Sequence, residues 1–185
     1  MNKPQYLIVH TEASPVKTTA PRVDVVNQYH RQRGFDKSTL GYYVGYHAFI
    51  EKSGKLIECR KDEEEGMHTI GYNLISLGVC MAGNGDVETP TFAQSLTLKN
   101  YLIEKSRKYK IPKDKILPHR YFNSSKTCFG SLLKDTWASD LLPEPIIPTL
   151  VLQELNKLPE PRRSSIIRLI LKALSGVFGS VGNRK

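Results

Sequence analysis

Residues 5–10 read QYLIVH: four successive apolar positions, Tyr6, Leu7, Ile8 and Val9, closed by a histidine. A run this short and this apolar reads as a buried strand. Residues 76–81 (SLGVCM) give a second buried strand, closed by a turn over Gly83–Asp86. Residues 41–50 (GYYVGYHAFI) form a β-rich run of aromatic and branched residues. Ser53–Gly54 is a turn signal, with Lys55–Arg60 as the return strand of a hairpin. Lys115–Leu117 adds a further short strand.

Two long helical patterns lie between the strands. Arg22–Arg33 spaces Val23, Val26 and Tyr29 (or His30) at helical intervals and stops at Gly34. Thr91–Lys110 carries Phe92, Leu96, Tyr101 or Leu102, and Ile103 on its apolar face. Thr89 or Thr91 would cap it, and Pro112 stops it. Residues 11–21 and 66–73 read as loops, and the acidic run 62–65 as a solvated loop. Short strands alternating with long helices give an α/β domain, strands at the centre and helices on the faces, over residues 1–142.

The remainder differs in composition. Pro143, Pro145 and Pro148 mark a linker over residues 143–149, before a cationic helical tail at 150–185. Leu150, Leu155 and Leu158 suggest a short helix ending at Pro159 and Pro161. Ser164–Val181 is a second helix, with Ile166, Ile167, Ile170, Leu171, Leu174, Val177 and Phe178 apolar and Arg168, Lys172 and Ser175 opposite. From residue 143 on, seven basic residues (Lys157, Arg162, Arg163, Arg168, Lys172, Arg184, Lys185) face three acidic ones (Glu144, Glu154, Glu160), a net of +4. Such a segment suits an anionic membrane surface through residues 163–181. The alternative is a helix packed on the domain or on a second copy.

The whole chain has 185 residues, 39% hydrophobic and 24% charged, which excludes a disordered class. Its net charge of +9 favours an anionic partner: nucleic acid, an acidic membrane or an anionic cell-wall polymer. The three cysteines, Cys59, Cys80 and Cys128, argue against a disulfide framework. The N-terminal apolar run is too short for a secretory signal, and no stretch reaches the roughly 20 apolar residues of a membrane span. Synthesis in the cytoplasm without a signal peptide is the expectation.

Residues 119–128, HRYFNSSKTC, hold a His, a Lys and a Cys in a segment too polar for a core element. Imidazole and thiolate are common zinc ligands, and a catalytic zinc site uses three protein ligands with one position open. His119 and Cys128 supply two, and His10, at the end of the first strand, is the candidate third. The plain alternatives are a strand-end histidine with a satisfied hydrogen bond and a small buried thiol. Zinc so held would make water a nucleophile for amide or ester hydrolysis. The developing oxyanion then needs a partner. Lys126 fits that role, or is one more surface lysine. Tyr46 would point at the metal with His47 on the opposite face, or is a core tyrosine. His30 and His47 read as structural, Cys59 and Cys80 as buried thiols.

Taken in order, YLIVHTEAS, VGYHAFI, GMHTIGYNLISLGVCM and HRYFNSSKTC resemble the zinc-dependent N-acetylmuramoyl-L-alanine amidases, closest to the amidase-type phage lysozymes. The resemblance spans roughly residues 5–140. It implies the fold shared with the peptidoglycan recognition proteins, a central mixed β-sheet flanked by helices. It further implies that Zn²⁺ is held by His10, His119 and Cys128, that Tyr46 and Lys126 are catalytic, and that His68 and Thr69 border the substrate groove; His68 also reads as a brace for the fold. The implied activity is cleavage of the amide between N-acetylmuramic acid and L-alanine of peptidoglycan, by an endolysin released to the cell wall. The family's commoner His-Arg-Asp is His-Arg-Tyr here (119–121), so the surroundings of His119 are expected to differ. The alternative function is a non-catalytic module that binds peptidoglycan or a protein, for example a regulator of a phage polymerase. Nucleic acid is not an expected partner.

Overall fold

The computed structural model describes residues 1–14, 21–143 and 149–177. Five strands, β1 (Tyr6–Thr11), β2 (Ala48–Ile50), β3 (Leu56–Glu58), β4 (Ser76–Met81) and β5 (Ile116–Pro118), form one sheet in the order β3-β2-β4-β1-β5. β2, β4, β1 and β5 run parallel, and β3 returns antiparallel to β2. Pro118 has no N–H to give a ladder and lies on the edge strand, where none is needed.

Strand alternation divides the sheet into two packed faces. Leu7 and Val9 of β1 and Leu77, Val79 and Met81 of β4 meet Leu98, Tyr101 and Leu102 of α2 (Phe92–Tyr109). On the other face, Phe49 and Cys80 meet Val23 and Val26 of α1 (Arg22–Gln32), with Val44 and Ala82. His10 lies directly beside Cys80 in the β1–β4 register and belongs to this second face.

Both long helices are fastened by polar groups at their starts. Thr91 and Gln94 form a reciprocal capping box on α2, and the Gln94 amide also donates to the carbonyls of Ile50 (3.3 Å) and Ala82 (2.9 Å). α1 has no cap from its own chain neighbours. The Glu51 carboxylate instead accepts from the N–H groups of Arg22 (3.1 Å) and Val23 (2.8 Å), placing negative charge at the helix N-terminus.

Several expectations are corrected. The β-rich run 41–50 is a strand only at Ala48–Ile50. Upstream, the backbone bonds to side chains and loops: Gly45 N–H donates to His30 Nδ1, and Val44 carbonyl accepts from Arg60 Nε. A Cβ at Gly45 would lie 2.4 Å from the Met67 carbonyl oxygen, so the two loops approach too closely for another residue. In α1, His30 is buried and Tyr29 is exposed. The buried face of α2 is Gln94, Leu98, Tyr101, Leu102 and Lys105, while Phe92 is 84% exposed and Leu96 is exposed. Lys105 is tolerated there because Asp62 pairs with it at 2.9 Å. The acidic run is therefore not merely solvated: Asp62 also accepts from Lys108 and Tyr109.

After a 3-10 turn at Lys113–Lys115, β5 leads into α3 (His119–Phe122), and α4 (Trp137–Asp140) packs beside β5. The tail contains α5 (Thr149–Asn156) and α6 (Arg162–Val177), which pack on each other. Residues 144–148 of the expected linker, and the expected helix beyond residue 177, lie outside the described residues.

Candidate metal centre

His10 stands near the carboxyl end of β1, and His119 directly follows β5, its parallel neighbour. Side chains at the carboxyl ends of adjacent parallel strands converge above the sheet edge, the usual site position of such sheets. The two rings lie 4.6 Å apart. Cys128 comes from the irregular segment after α3, and its Sγ accepts from the Thr11 N–H at 3.1 Å. Ligand atoms of His10, His119 and Cys128 all lie within 4.8 Å of one another.

This donor set fits a metal. Donors on a tetrahedral zinc, with bonds of about 2.0–2.3 Å, sit roughly 3.3–3.8 Å apart, within small side-chain shifts of the observed cluster. The two imidazoles are held in the neutral form that a metal needs. Burial, then His68 and His119, hold His10 well below the usual imidazole range, so it stays neutral. Burial and then Lys126 lower His119. Burial pushes the Cys128 thiol up to about 12, so a metal must displace its proton on binding.

The second nitrogen of His10 is engaged. Nε2 lies 3.1 Å from Nδ1 of His68, which leaves Nδ1 as the ligand atom. His68 is itself buried, with Thr69 Oγ1 at 3.0 Å and Ser76 Oγ at 3.4 Å. Its ring fills the space between two glycines: a Cβ at Gly66 or Gly78 would approach it to 2.5 or 2.6 Å. His68 therefore braces His10 and also forms groove floor. Thr69 is buried next to it, with its N–H donating to Asn73 Oδ1 at 2.8 Å.

Tyr46 lies in the irregular stretch before β2, with its ring 4.9 Å from that of His10. Burial, then the thiols of Cys80 and Cys128, push its phenol well above the usual range. It keeps its proton. His47 does not turn away as expected: its ring is 5.7 Å from that of His68, and its Nδ1 accepts from Gly78 N–H. Lys126 is exposed and stands with His119 on the wall of an open groove of about 950 Å³, which His68, Thr69 and Asn73 also line. Of the seven expected site residues, His68, Thr69, His119 and Lys126 line this groove, while His10 and Cys128 cluster with His119 and Tyr46 lies beside His10.

Two residues that hold the site were not anticipated. Arg120 donates to Asp135 (Nε, 2.6 Å), to the Leu133 carbonyl (2.6 Å) and to the Gly130 carbonyl, and its own N–H donates to the Cys128 carbonyl at 2.8 Å. Asp86 accepts from Thr127 Oγ1 and from Ser131 N–H, both at 2.8 Å. Together they pin the segment carrying Cys128 from both sides. Tyr121 is exposed and takes no part, so Asp135 supplies the carboxylate near His119–Arg120. Adjacency of Arg120 to His119 was the one available signal; its partners come from 7 to 15 residues downstream.

A family model described as N-acetylmuramoyl-L-alanine amidase matches residues 1–131. An endolysin of Klebsiella phage KP32 is 29% identical over 143 residues, covering 74% of this chain and 87% of that protein. An endolysin of Escherichia phage T7 is 29% identical over 122 residues, covering 63% and 75%. Among solved structures, the N-acetylmuramoyl-L-alanine amidase LysC from Clostridium intestinale superposes with a TM-score of 0.63 at 22% identity, covering 77% of this chain and 88% of that one.

Proposed function

The chain belongs to the N-acetylmuramoyl-L-alanine amidase family, and from that premise we propose that it is a zinc-dependent endolysin. It hydrolyses the amide between the lactyl group of N-acetylmuramic acid and L-alanine of the stem peptide. The observation that carries this is the cluster of His10, His119 and Cys128, of which His119 lines an open groove. The name endolysin of the phage relatives supports action on a host cell wall.

His10, His119 and Cys128 hold the zinc. When bound, zinc supplies a Lewis acid that polarises a carbonyl and makes water nucleophilic near neutral pH. The protein's own residues do the rest. His68 fixes the ring of His10 through Nε2. Tyr46, kept as a neutral phenol, donates a hydrogen bond at the reacting centre and assists proton transfer. Lys126 brings a positive charge to the oxygen that becomes anionic as water adds to the carbonyl. The C–N bond then breaks, the departing nitrogen takes a proton, and the products are a lactyl carboxylate and a free L-alanine amino terminus. His68 and Thr69 set the floor on which the stem peptide lies.

Incubation with purified peptidoglycan tests this. New L-alanine amino termini should appear, vanish with a chelator and return with zinc. Cys128→Ser should lose both the metal and the cleavage. Full cleavage by that variant overturns the mechanism, and tight peptidoglycan binding without release, with stoichiometric zinc present, moves the chain to the binding-module class.

A further inference from the structure

The described residues of the tail take no part in the site, and their chemistry differs from that of the domain. Helix α6 carries Arg162, Arg163, Arg168 and Lys172 and not one acidic residue over its length. At 100° per residue, Ile166, Ile167, Leu169, Ile170, Leu171 and Ala173 occupy an arc of roughly 200°, with Arg168 and Lys172 opposite its centre. Leu169 is 65% exposed, and Ile166, Ile167, Ile170 and Leu171 are only partly covered although α5 packs alongside. Leu169 stands clear of that contact, and the other four each keep part of their surface in water. Neither core cluster of the domain includes a described residue of α5 or α6.

We propose that α6 docks on the surface of an anionic phospholipid bilayer. A lipid surface accepts a wide apolar arc, because acyl chains close around it while basic side chains reach the phosphates. A second copy of the chain would bring the same positive charge to the contact; anionic lipid brings the opposite one. No helix among the described residues is long and apolar enough to cross a membrane, so α6 lies in the interface plane. The inference does not depend on the amidase reading: bilayer docking and hydrolysis are separable properties of the two regions.

The test is co-sedimentation of the full chain with phosphatidylglycerol/phosphatidylethanolamine vesicles and with phosphatidylcholine vesicles. Binding should favour the anionic vesicles and weaken with salt. Arg168→Gln combined with Lys172→Gln should lower partitioning by about 30-fold, at the usual strength of two basic residues near a charged bilayer. Leu169→Asn, at an exposed position, should weaken binding with circular dichroism and zinc content unchanged. Equal binding to both vesicle types, or binding untouched by the double charge variant, overturns the proposal. A stable dimer by light scattering that does not bind vesicles also overturns it, in favour of a second copy on this face.

Discussion

His10 and Cys128 offer donor atoms to the same point from very different supports. His10 sits on β1, which has a parallel neighbour on each side, and the residue is 1% exposed. Its position is set by sheet register and by the ring of His68 beneath it. Cys128 sits on irregular backbone tied by Arg120, Asp86 and Thr11, and it packs against the core cluster that its neighbour Phe129 enters. One ligand is placed by packing, which is stiff and cooperative; the other needs polar ties besides the packing of Phe129, and those ties can be cut one at a time. The His10 half is thus set by the core alone, while the placing of Cys128 depends also on ties that can be loosened with Phe129 left in the core.

Replacing each ligand gives the largest contrast. His10→Ala and Cys128→Ser should both lower zinc affinity by more than about 100-fold, beyond the range for losing an outer partner. They should part in stability. His10→Ala leaves a void in a buried strand and an orphaned His68, costing about 2–4 kcal/mol in urea unfolding of the metal-free protein. Cys128→Ser should cost under about 1 kcal/mol. Equal losses would break the distinction between the halves.

Acid should strike the packed half. Burial, and then nearby arginines, lower His30 to about 4. Burial lowers His47 to about 4 despite the Glu64 carbonyl. Unfolded, both titrate near 6.5. The unfolded chain therefore binds more protons below pH 6.5, and stability present above that pH is lost as pH falls from about 6.5 through 4. The loss is on the order of 3 kcal/mol for each histidine. Each also surrenders an acceptor, His30 Nδ1 for the Gly45 N–H and His47 Nδ1 for the Gly78 N–H. Urea midpoints of the metal-free protein at pH 7.5 and 4.5 measure it; a flat profile would show that the histidines are not held neutral.

Cutting the main tie of the loop is the next smaller effect. Arg120→Ala removes the group that joins Asp135 to the carbonyls of Gly130 and Leu133. Zinc affinity and peptidoglycan cleavage should fall together by about 10–100-fold, as for an outer partner of a metal ligand. The domain should remain folded. Cleavage lost with zinc affinity intact would instead mean that Arg120 touches substrate.

The same contrast explains what could be read from sequence. Much of what packing places was legible: β1, β4, the two long helices, and the roles of Cys59 and Cys80 as buried thiols. Apolar periodicity reports burial, and these elements are defined by burial. The stretch 41–47 looks like strand by composition, yet Gly45 and Val44 spend their backbone groups on His30 and Arg60, which composition does not encode. The face of α2 was misplaced for a similar reason, since Gln94 and Lys105 are buried by pairing with strand carbonyls and Asp62. At the site, the ligand-type residues stand out by chemistry and by a four-segment resemblance. Arg120 and Asp86 do not, because a tie is visible only when both ends are placed.

Thr127→Val tests whether those ties share their load. It removes the Thr127 hydroxyl from Asp86 and leaves the Ser131 N–H on the other carboxylate oxygen, at 2.8 Å. One exposed hydrogen bond contributes about 1 kcal/mol, so zinc affinity should fall by no more than about 5-fold. Zinc titration against a competing chelator resolves that difference. A loss as large as that of Arg120→Ala would mean that the Cys128 segment moves as one unit and fails wherever it is cut. A small loss, additive with Arg120→Ala in the double variant, would mean that its two sides are pinned independently.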